Sequence, residues 1–136
     1  MFEDAVQQMS QLSRPVQLWM RWLNIVLLPA FYFAFEFEAA RWVLAANLIG
    51  LPVGLLAFAV TRNIHMTGLP HILFWTPLLA YLLHSVASDP AFHFASLYAF
   101  WLLLYGTTIA ISLVFDIRAL TIYLTRRSQR AANQNS

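Results

Sequence analysis

Long apolar runs alternate with short polar breaks along this chain, and the spacing of the breaks predicts its elements. Between Met1 and Arg14, the apolar residues Phe2, Val6, Met9 and Leu12 recur at helical spacing, with Glu3, Asp4, Gln7, Gln8 and Gln11 between them. That pattern predicts a short amphipathic helix lying on a membrane surface, within residues 1–15. Four apolar runs follow, at about 16–35, 42–61, 67–87 and 90–115, and the last keeps its pattern to about residue 124. Each is close to the ~20 apolar residues that a helix needs to cross a ~30 Å hydrocarbon core.

The expected fold is therefore an all-α integral membrane protein, a single membrane domain of four transmembrane helices in an antiparallel bundle. The turns expected at 36–41, 62–66 and 88–93 are short, which makes successive helices antiparallel neighbours. Composition agrees, since 60% of the 136 residues are hydrophobic and only 10% are charged. Residues 126–136 read as a basic, disordered tail. The N-terminus does not read as a secretory signal, because it is acidic and the following apolar run is too long.

All eight basic residues are arginine. Arg14, Arg62, Arg126, Arg127 and Arg130 fall on one side of the four-span layout, with Arg21 and Arg118 near helix ends there. Arg41 falls on the other, with Glu36, Glu38 and Asp89. Arginine-rich flanks stay in the cytoplasm, so both termini are expected there. Trp19, Trp22 and Trp42 suit the aromatic belts at the interfaces. Arg126, Arg127 and Arg130 would also attract anionic lipid, at ~1 kcal/mol each near the surface.

Candidate chemistry lies on polar stripes. Gln17, Arg21 and Asn24 recur at i, i+4 and i+7 on helix 1, and Tyr98, Tyr105, Thr108, Ser112 and Asp116 share a stripe on helix 4. Asn47 and Thr61 lie on the helix 2 face that also carries Gly50 and Gly54. Convergence of these faces predicts a polar interior or pathway formed by Arg21, Asn24, Asn47, His71, Thr108, Ser112 and Asp116. Arg21 and Asp116 would pair at similar depth, because a carboxylate offsets part of the cost of an arginine in the membrane. His71 would be proton-sensitive. Each of these polar groups equally suits hydrogen bonding between helices, at ~0.6 kcal/mol per contact.

Pro29, Pro52 and Pro77 sit near the middle of the first three spans. Each bends its helix and frees the carbonyl four residues earlier, on Ile25, Leu48 and Leu73. Ala46, Gly50 and Gly54 form a small-residue stripe for close helix packing, as do Gly106 and Ala110. It does not tell whether the partner helix belongs to the same chain.

Metal and redox chemistry have little support. There is no cysteine, and His71 and His84 are ~20 Å apart along one helix. Glu36, Glu38, His84, Asp89 and His93 could cluster at the outer side, yet Asp89 before Pro90 reads first as a helix cap. No phosphate loop, nucleophile elbow or HExxH motif is present, so neither cofactor nor nucleic acid is expected. The signature residues of small multidrug exporters, fluoride channels and glutathione-linked membrane enzymes do not occur in order.

Three functions fit. The foremost expectation is an oligomeric channel or transporter for ions or small solutes, a homo-oligomer with its pathway at subunit contacts or proline bends. The alternative is a non-catalytic membrane subunit packed against a larger complex. The weakest is a membrane enzyme at the outer interface, using His84 and His93.

Overall fold

The computed structural model describes residues 2–62, 66, 68–89 and 96–134. It has five helices, α1 (Phe2–Ser10), α2 (Arg14–Phe33), α3 (Glu38–Thr61), α4 (Gly68–Ser88) and α5 (Leu97–Gln134), and no strand among the described residues. Three of them, α3, α4 and α5, are long and apolar enough to cross a membrane. Gln17, Arg21 and Asn24 keep α2 from joining them on composition, although its 20 residues give it sufficient length.

Several boundaries differ from the sequence expectation. α3 begins at Glu38 rather than 42, so the turn before it is shorter than expected. Ala39 and Ala40 are strong helix formers and both are buried, and Glu38 complements the positive end of the helix dipole. α2 takes in Pro15 within its first turn, where the missing N–H has no intrahelical partner to lose. The expected start of the last span near Pro90 lies outside the described residues. As described, α5 begins at Leu97, with Ser96 Oγ accepting a hydrogen bond from the Ala99 N–H at 3.1 Å. The segment expected to be a disordered tail continues α5 as helix through Gln134. Residues 126–134 contain no proline or glycine, and their arginines and alanines are strong helix formers.

The four long helices close into a ring. α3 and α5 each pack on both α2 and α4, and the α4 contacts are the more extensive. One core unites Val26, Ala30 and Phe33 of α2, Val43 of α3, Trp75, Leu78 and Leu82 of α4, and Trp101, Tyr105 and Ile109 of α5. Small residues bring α4 close to its neighbours. A Cβ on Gly50 would lie 3.8 Å from Phe74, and one on Gly106 would lie 4.0 Å from Leu79, both on α4. At these two glycines the small-residue stripes face a helix of the same chain.

One end of the ring is basic. There the N-termini of α2 and α4 meet the C-terminus of α3, and Arg62 Nη1 lies 3.1 Å from Asp4 Oδ2 of α1. Both side chains are exposed, so this pair contributes ~0–1 kcal/mol. Arg62 ends α3 in the left-handed conformation at φ 53°, its N–H returning to Phe58 O at 2.7 Å. The opposite end carries Glu38, Arg41 and Asp89. At 38 residues, α5 is ~57 Å long, so its C-terminal part projects beyond its neighbours at the basic end.

Candidate functional site

Five of the seven polar groups expected to line an interior fall into two sets. The first is a ladder of hydrogen bonds. Thr108 and Ser112 of α5 are 3% and 5% exposed, and their hydroxyls donate to the carbonyls of Leu104 at 2.8 Å and Thr108 at 3.0 Å. Each then accepts an indole N–H from α2: Trp22 donates to Thr108 Oγ1 at 3.3 Å, and Trp19 to Ser112 Oγ at 2.9 Å. Asn47 Nδ2 of α3 donates to its own helix at Val43 O and to Tyr105 OH, both at 2.7 Å. Trp101 Nε1 donates to Val26 O at 2.8 Å, next to the carbonyl that Pro29 frees on Ile25. The hydroxyl hydrogens of Thr108 and Ser112 are thus occupied, and their oxygens already accept. In an apolar medium such saturation ties helices together.

The second set is a histidine–carboxylate pair at the basic end. Asp116 Oδ2 lies 3.2 Å from His71 Nδ1, the two side chains being 23% and 39% exposed. The imidazole also stacks on Trp75, with centroids 4.2 Å apart and planes 6° from parallel. Gly68 makes room for the carboxylate, since a Cβ there would sit 2.8 Å from Asp116 Oδ1. Asp116 therefore rests against the first turn of α4, where the helix dipole favours negative charge.

Arg21 was expected opposite Asp116, and the structure does not bring them together: Asp116 pairs with His71, and Arg21 is exposed on α2 with Asn24. Asn24 Nδ2 returns to Met20 O at 2.8 Å. The α2 face that meets α5 instead carries Trp19, Leu23, Val26, Ala30 and Phe33. Trp19 and Trp22, assigned to an interfacial belt from sequence, reach across to α5. Their position one helical turn from the core residues Leu23 and Val26 was a signal for this role, but tryptophan near a helix start suits both.

No family model matches the chain, and no curated protein or solved structure matches it. Its chemistry rests on its own residues. Among the described residues no group of three or more histidines and carboxylates could hold a metal ion. Of the expected outer cluster, Glu38 accepts from Trp42 Nε1 at 3.2 Å, His84 lies 3.4 Å from Ser88 Oγ, and His93 lies outside the described residues.

The Gly68 notch supplies a prediction. Gly68→Ala should displace the Asp116 carboxylate from His71 and cost ~1 kcal/mol, while in an Asp116→Ala background the same change should be near neutral. SDS unfolding of the four variants in mixed micelles measures the coupling. Equal costs in both backgrounds would remove Asp116 from the notch.

Proposed function

We propose that this chain is a non-catalytic membrane subunit that packs against a larger membrane assembly, with α2 as its fourth span and both termini in the cytoplasm. The observation that carries this reading is the exposure of Arg21 and Asn24 on the outer face of α2. Charged residues in membrane helices almost always face protein or water rather than lipid. Here the ladder of Trp19, Trp22, Thr108 and Ser112 occupies the inner side, so a partner helix is the natural cover for the outer one. The α5 extension would carry Arg126, Arg127 and Arg130 out on the cytoplasmic side, where arginine-rich flanks stay.

Arg21→Leu with Asn24→Leu tests it. Native mass after gentle extraction should fall to that of the single chain, with helix content unchanged. An unaltered assembly, or a wild-type chain already alone, overturns the reading.

A transport role is the second reading, and the partly exposed His71–Asp116 pair favours it. Purified protein in liposomes would then carry proton flux that Asp116→Asn abolishes. The subunit reading expects no flux in either.

A further inference from the structure

A cavity of about 490 Å³ opens at the end of the ring opposite His71, between α3, α4 and α5. Ala39, Val86 and Leu102 give it apolar walls, and the rings of Phe37, Tyr81 and Tyr98 add aromatic ones. Phe37 and Tyr98 stack on each other with centroids 3.7 Å apart and planes 6° from parallel, which holds both rings in place at the cavity. Ser85, Ser88 and Ser96 contribute hydroxyls, and Glu38 and Asp89 contribute carboxylates.

Among the described residues the lining holds two acids and no base. The nearby Arg41 is turned to the α2–α3 connection, where its Nε donates to Ala34 O at 2.8 Å. The two carboxylates of the described lining favour a cation over an anion. A cavity of this size with aromatic walls suits an organic group rather than a bare metal ion. Aromatic rings beside carboxylates are the chemistry that selects alkylammonium groups, through ring quadrupole and charge together.

We propose that this cavity is a binding site for an alkylammonium group, presented either by a choline or ethanolamine lipid headgroup or by a free amine. Glu38 and Asp89 supply the charge, while Phe37, Tyr81 and Tyr98 supply the aromatic surface. Its position at the end of the membrane helices gives access from both the headgroup layer and water.

Equilibrium dialysis of labelled choline against the protein in phosphatidylglycerol nanodiscs tests the site. One saturable site per chain is expected, displaced by tetramethylammonium and at least tenfold less well by 3,3-dimethylbutanol, the neutral isostere. Glu38→Gln should weaken binding about tenfold. Ser85→Leu, which fills the cavity, should abolish it with helix content unchanged. In phosphatidylcholine nanodiscs, loss of choline binding identifies the headgroup as occupant, and retention identifies a free amine. Absence of saturable binding in phosphatidylglycerol, equal displacement by the neutral isostere, or full binding by Ser85→Leu overturns the proposal.

Discussion

Replacing Trp101 by alanine is expected to release α2 from the bundle. The indole is 3% exposed, donates to Val26 O at 2.8 Å, and lies 5.2 Å from the Phe33 ring and 5.8 Å from that of Tyr105. In soluble cores such truncations cost ~3–5 kcal/mol. In lipid the transfer part is missing, because the surrounding chains are as apolar as the core, and lost packing and the lost hydrogen bond remain. We expect a loss of ~2–3 kcal/mol on those grounds. Trp101→Phe keeps most of the packing and should lose only ~1 kcal/mol with the hydrogen bond. The SDS fraction at half-unfolding measures both, and equal midpoints for the two variants would refute the packing role.

The second large effect is expected at Gly50. A Cβ there meets Phe74 at ordinary contact distance, 3.8 Å, so alanine should be tolerated. Isoleucine adds branched bulk that must push α4 away from α3, at ~1–3 kcal/mol. Shrinking the obstacle with Phe74→Ala should recover part of that loss, by the coupling expected of touching side chains. Wild-type stability in Gly50→Ile would mean that this face looks outward. Because α3 and α4 make one of the two most extensive contacts in the ring, the change should also raise susceptibility to proteolysis at both helices.

These outcomes bear on what polar residues do in a small membrane bundle. Thr108, Ser112 and Asn47 were compatible with a pathway and with interhelical hydrogen bonds when only their spacing was known. Their partners favour the second role, since two of the three are bonded by tryptophans of α2 and the third by Tyr105. A helical stripe specifies an angle around one axis, and it does not say which neighbour stands at that angle. That is why Arg21, on a stripe of its own, was placed inward from sequence and is found outward.

Periodicity and run length by themselves determined that the chain is helical and suited to lipid, because a hydrocarbon core imposes a minimum apolar length that can be counted along a sequence. Glu38, Ala39 and Ala40 extended α3 into the break expected before it, and the expected tail continued α5. The small-residue stripes at Gly50 and Gly106 were legible as packing faces for the same reason, since a missing side chain is visible in sequence. Only the tertiary structure decided which helix fills each gap, that Asp116 meets His71 across the Gly68 notch, and that Trp19 and Trp22 serve Ser112 and Thr108. Those pairings depend on how four helices rotate against one another. That rotation is set by the summed fit of Val26, Ala30, Val43, Trp75, Trp101 and Ile109, a property of their joint shape that no single stretch of sequence carries.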